Sequence, residues 1–259
     1  MRHFMNRSVL FLIGIICVAS VAFTTLAQAE TLVESTTFFR IGVGLSVDQK
    51  AAQAWVPAPW KVVSLPKGPF KGTNVFVLFT DWFIIQDGEG KPVHGGTLSC
   101  ASLVAYAKNP QTGELGPFVL RVYAPYDDFG PYKNTVKARV SREATIKGAT
   151  SESGTSSEVW KVQDSAGGIL EFRMDYKRAV PKRYKKELKV RSAVEPDILF
   201  NCRDDRTSDV VKSIPAGIDR AQNYKLRMTM SELSKMFDGS EQFVGISVNP
   251  CFVRQVFLP

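Results

Sequence analysis

The segment Arg142-Glu143-Ala144-Thr145-Ile146-Lys147 brings a guanidinium, a carboxylate and an amine together at the end of a strand-like stretch. Residues four apart on a strand share a face, so Glu143 and Lys147 would point the same way. An interior lysine that is short of water and near a second cation loses its preference for the ammonium form. As a free amine at neutral pH it attacks a ketone carbon and forms a Schiff base. Glu143, or Glu171 further along, would then orient the substrate or shuttle a proton. The same spacing also describes an exposed Glu–Lys pair at a strand end, which contributes well under about 1 kcal/mol.

Aromatic side chains form the second group with chemical potential. Trp55, Pro57, Pro59 and Trp60 make a compact knot, and Tyr123, Tyr126, Phe129 and Tyr132 punctuate a loop that also holds Pro125 and Pro131. Beside the mouth of a barrel, such residues either line a pocket for a lipophilic or ring-shaped ligand or plug the barrel end. Trp60, Trp82, Tyr123 and Tyr126, together with Arg142, are the candidate ligand-binding residues. Lys177 to Arg191 carries eight basic residues against the single acid Glu187. That is either a patch for anionic headgroups, polysaccharide or a phosphorylated ligand, or the solvated face of a strand whose Leu188 and Val190 are buried.

Other chemistries are poorly supplied. His3 and His94 are the only histidines, so a multi-histidine metal centre is excluded once a leader is removed. A Ser-His-Asp triad would have to use His94, which sits in the turn-like Gly90-Lys91-Pro92-Val93-His94-Gly95-Gly96 and reads as a solvated loop residue. No cofactor and no metal is expected. Cys100 lies in an alternating apolar stretch as a buried small hydrophobe, while Cys202 and Cys251, both in the polar C-terminal third, are expected to form a disulfide.

The chain opens with Arg2 and Arg7, an apolar run from Val9 to Leu26, and the small-residue triplet Ala27-Gln28-Ala29. This layout predicts a secretory signal peptide over residues 1–29, cleaved between Ala29 and Glu30. The mature protein is then periplasmic or secreted, away from nucleotide cofactors and nucleic acid, with no transmembrane segment after cleavage. Cys17 follows bulky Ile16 and does not form a lipobox. The formal net charge of the whole chain is +8, of which the leader's two arginines supply part; such a balance suits a soluble protein or one near an anionic polymer.

The elements that must position these residues follow a period of two. Strands are predicted at Asn74–Ile85, Thr97–Tyr106, Pro117–Tyr123, Asn134–Ile146, Val159–Val162, Ile169–Met174, Lys186–Arg191, Tyr224–Met230 and Val244–Val248. Asp164-Ser165-Ala166-Gly167-Gly168 is a hairpin turn. Ser46-Val47-Asp48-Gln49 and Thr229-Met230-Ser231-Glu232 have capping-box form, predicting short helices to about Trp55 and over Glu232–Phe237. The fold class is mainly β, a single closed or cone-shaped antiparallel barrel with two short helices, occupying residues 30–259 as one domain.

This layout resembles the acetoacetate decarboxylase-like superfamily from about Gly42 onward. The resemblance rests on the helix and proline knot Ala54-Trp55-Val56-Pro57-Ala58-Pro59-Trp60, on the long strand ending Phe79-Thr80-Asp81-Trp82, and on the hairpins leading to Ser141-Arg142-Glu143. It implies a cone-shaped β barrel and a Schiff-base lysine after a G-R-E-like segment, a role that falls on Lys147. Lys147 follows Glu143 by four residues, with no proline before it. Three functions fit: an exported barrel that binds a small apolar or anionic ligand, a keto-acid decarboxylase-like lyase using a buried lysine, and an envelope accessory protein that docks through its basic face. The first asks least of the residues.

Overall fold

A computed structural model describes residues 30–148, 150 and 154–259. The expected leader lies outside the described residues. Residues Thr31–Leu258 form one compact unit. Its strands are β1 (Thr31–Ser46), β2 (Lys61–Val62), β3 (Val75–Asp87), β4 (Leu98–Lys108), β5 (Leu115–Ala124), β6 (Thr135–Lys147), β7 (Thr155–Asp164), β8 (Ile169–Lys177), β9 (Lys182–Ser192), β10 (Leu199–Ser213), β11 (Ile218–Asp219), β12 (Ala221–Met228) and β13 (Gln242–Leu258).

Seven strands pair in the order β1–β3–β4–β5–β9–β10–β13, and β13 pairs back onto β1. The β5–β9 junction is thin, with only Phe118↔Arg191 and Val119↔Ser192 in register. A second antiparallel group, β6–β7–β8–β12, joins the first where β5 and β6 run parallel from Val122↔Thr135 to Ala124↔Lys137.

The main apolar core lies between these two groups. The outward residues Phe39, Ile41 and Val43 of β1, with Val77 and Phe79 of β3, meet Trp160, Val162, Leu170 and Phe172 of β7 and β8. Phe79 stacks on Phe172 at 5.3 Å between ring centroids. The other face of β1 carries Phe38, Arg40, Gly42 and Gly44 into the space enclosed by the seven strands. Gly44 must be small, because a Cβ there would stand 2.6 Å from the ring of Phe70, which packs across that end.

One α-helix occurs among the described residues, α1 (Gln49–Gln53). Asp48 is its N-cap, accepting from the Ala51 backbone N–H at 2.8 Å, two residues later than the capping box predicted. The second predicted helix is instead a single 3₁₀ turn, Ser231–Leu233. Glu232, which would have reached back to cap it, is spent on Arg121 at 2.7 Å and on the Tyr123 hydroxyl, which donates to it at 2.5 Å. No helix among the described residues is long and apolar enough to cross a membrane.

The expected disulfide does not form. Cys202 is a buried free thiol and Cys251 an exposed one. Both lie on paired strands, but Cys202 stands opposite Val256 and Cys251 opposite Thr207, five positions apart in the ladder. A thiol reagent added without reductant to the denatured chain from Glu30 onward should therefore titrate Cys100, Cys202 and Cys251 together. Reductant should leave the melting midpoint unchanged; a fall on reduction would show a bond.

Candidate site in the interior cavity

Residues facing the space inside the seven strands line a cavity of about 380 Å³. Apolar and aromatic walls come from Leu78, Trp82, Val104, Val119 and Phe129. Into this wall the sequence places an unusual set of charges: Glu34 and Arg40 from β1, Lys67 from the segment between β2 and β3, Lys186 from β9, Arg206 from β10 and Arg254 from β13. Strand register arranges part of this set in a row, since Lys186 stands opposite Asp204, which stands opposite Arg254.

Arg254 closes a two-point ion pair on Asp204, with Nε and Nη2 donating to the two carboxylate oxygens at 2.7 and 3.0 Å. Burial pushes the Asp204 carboxyl up, but Arg254, Arg206 and Arg40 together hold it below the usual range. Arg40 is buried and has no carboxylate partner among the described residues; its Nε donates to the Thr80 hydroxyl at 3.0 Å. Burial, reinforced by Arg254, brings its guanidinium down to about 9. The Cys100 thiol is pushed by burial to about 11 despite accepting the Trp82 indole N–H at 3.1 Å, which makes it inert.

Lys186 occupies the seam where β9 has only β10 beside it, so solvent reaches a side chain that also lines the cavity. Its ammonium is disfavoured by burial first and by Arg206 second, with Asp204 opposing. These influences act in the direction that weakens the hold of a lysine on its proton.

Glu34 has its carboxyl raised by burial to about 7, with Arg254 opposing. Between the ordinary value of 4.5 and about 7, the folded state keeps a proton that the unfolded chain releases. This group's contribution to stability is thus full at low pH and is lost as pH rises through that window. Glu34→Gln should match the native protein in urea midpoint at pH 4 and exceed it at pH 8 by at most about 3 kcal/mol. Equal midpoints at pH 8 would show that the carboxyl is not desolvated.

The residues singled out from sequence are dispersed. Trp82 lines the cavity. Tyr126 is exposed on a loop and touches the cavity only indirectly, through His94 at 4.8 Å, itself 5.6 Å from the cavity residue Phe129. Trp60 is buried in the core between the two strand groups, where its ring meets Phe118 at 5.0 Å. Tyr123 is also buried in that core, its hydroxyl held by Glu232. Arg142 is committed elsewhere. It donates from Nε and Nη2 to buried Glu158 at 3.0 and 2.9 Å and from Nη1 to Asp81 at 2.9 Å, and lies 3.9 Å from the Phe39 ring centroid.

Glu143 and Lys147 are both exposed on β6 and line no part of the main cavity. Lys147 borders instead a separate hollow of about 170 Å³ with Asp175 and Tyr176. Of the two lysines, Lys186 is the one that borders the main cavity, although its side chain is solvent-exposed as well. Two members of the basic run around it are ion-paired, Arg183 to Asp205 at 2.7 Å and Arg191 to Glu114 at 2.8 Å. No cluster of three or more metal-ligating side chains occurs among the described residues.

A mainly β domain with an enclosed, charged cavity is the class of protein this architecture defines. Solved structures share the fold. An enduracididine biosynthesis enzyme, MppR, complexed with pyruvate, superposes with a TM-score of 0.56 at 9% identity over 90% of this chain and 91% of that one. An acetoacetate decarboxylase-like enzyme from Sphingomonas wittichii RW1 gives 0.56 at 13% identity over 92% and 97%. MppR complexed with the condensation product of pyruvate and imidazole 4-carboxaldehyde gives 0.55 at 8% over 87% of each. No protein-family model and no curated protein matches the sequence. The chain has an acetoacetate decarboxylase-like fold.

Proposed function

We propose that this protein is an exported, acetoacetate decarboxylase-like enzyme that holds a small oxo acid inside a cone-shaped seven-stranded barrel and forms a Schiff base with it through Lys186. The observation that carries the reading is a cavity-lining lysine whose ammonium is disfavoured by burial and by Arg206. Structures of the same fold described with pyruvate and with a pyruvate condensation product support an oxo acid as the ligand class.

The chemistry needs no electron acceptor. The free amine of Lys186 attacks the oxo carbon and a C–N bond forms; the oxygen takes one proton from that nitrogen and a second from an acid and leaves as water, giving an iminium. In a 3-oxo acid the bond to the carboxylate then breaks, its electron pair moves toward the iminium nitrogen, and carbon dioxide departs. Protonation of the resulting enamine at carbon, followed by addition of water, returns the ketone and the free lysine. Glu34, whose carboxyl titrates at about 7, is the cavity group suited to give and take these protons.

The test is reductive trapping. Incubation of the mature protein with borohydride and a panel of 2-oxo and 3-oxo acids should give one covalent adduct by intact mass. A second reading, reversible binding of an organic anion without a covalent step, is favoured by Arg40 and Arg206, which lack carboxylate partners among the described residues. Saturable binding with no adduct from any acid would replace the first reading with this one.

A further inference from the structure

Three guanidiniums gather around the ring of Phe252, and only Arg254 is ion-paired. Arg254 lies 5.3 Å from the ring centroid and is held by Asp204. Arg40 lies 5.0 Å from the same centroid and 4.3 Å from that of Phe38, and its Nε is bonded to a hydroxyl rather than a carboxylate. Arg206 lies 5.2 Å from the Phe252 centroid and 4.7 Å from that of Tyr184, with its buried Nε unpartnered. Ring faces offset part of the cost of placing these cations away from water. They do not supply the planar two-oxygen partner that the fork of N–H donors fits best.

A ligand with one carboxylate would pair with one of these two guanidiniums and leave the other without a carboxylate of its own, which is costly for a cation held away from water. A ligand with two anionic groups would satisfy both. We propose that the cavity selects a small dianion, a dicarboxylate or its equivalent, with one anionic group on Arg40 and the other on Arg206. Placement of its oxo carbon at Lys186 rests on the Schiff-base reading above; selection of the dianion does not.

The experiment uses acids without an oxo group, so that Lys186 chemistry cannot contribute. Isothermal titration of the mature protein at pH 7 with glutarate and with butyrate compares two acids of similar length that differ by one carboxylate. Glutarate should bind about tenfold or more tightly than butyrate. Arg206→Met should bring glutarate down to the butyrate level. Equal affinities in the native protein, binding of neither acid, or an equal loss for both in Arg206→Met would overturn the assignment. A dicarboxylate preference without any borohydride adduct would retain it and remove the Schiff-base reading. An adduct without the preference would do the reverse.

Discussion

Replacing Lys186 with methionine is expected to abolish the borohydride adduct and to lower turnover of any oxo-acid substrate by about 10³-fold or more. Methionine keeps the length of the side chain and removes the amine. The fold should tolerate it, because Asp204 across the ladder keeps its two-point pair with Arg254, and the lysine itself is reached by solvent. A stability change within about 1 kcal/mol is expected from urea midpoints. Lys147→Met is the matched comparison: Lys147 is exposed on β6, outside the cavity, and its loss should leave the adduct and the turnover intact. Loss of activity in Lys147→Met with retention in Lys186→Met would reverse the assignment.

Arg142→Met should produce the largest loss of stability, about 3–5 kcal/mol. Glu158 is 2% exposed and depends on Arg142 for both carboxylate oxygens. Without the guanidinium its charge stays buried with no cation beside it, while Asp81 loses one partner and keeps the Ser99 hydroxyl, which donates to it at 2.7 Å. For a unit of this length the melting midpoint should fall by about 10 °C. The double variant Arg142→Met with Glu158→Gln should recover much of the loss, because it removes the stranded charge as well as its partner. A loss under about 1 kcal/mol in the single variant would mean that water, not Arg142, solvates Glu158.

The strands rich in apolar residues were legible. The long apolar run of Asn74–Ile85, the Gly167-Gly168 turn between β7 and β8, and the apolar stretch of β4 all read directly. β1 and β10 did not, for opposite reasons. The second half of β1 is buried on both faces, so Phe38 to Leu45 shows no alternation with polar residues. β10 turns Cys202, Asp204, Arg206 and Ser208 toward a polar interior, so Asn201-Cys202-Arg203-Asp204-Asp205-Arg206 reads as a loop. The charged cavity thus conceals from hydrophobic periodicity one of the strands that builds it.

Candidate site residues were legible only where the wall is aromatic, as at Trp82. Arg40, Arg206 and Arg254 are distant in sequence and meet only through the pairing of β1, β10 and β13. Lys186 did carry a signal, since it is in phase with Leu188 and Val190, whose faces were read as buried. Eight cations in one run made that phase look like a solvated surface. Arg142 was misplaced because its residue type suits a ligand and an internal clamp equally, and only the position of Glu158 separates the two.

Peptide mapping of the borohydride-trapped protein tests the central claim most directly. After reduction in the presence of a reactive 2-oxo or 3-oxo acid, fragmentation should place the added mass on Lys186 alone. Added mass on Lys147 or on another lysine outside the cavity, or an unmodified Lys186 in a protein that turns over its substrate, would contradict it.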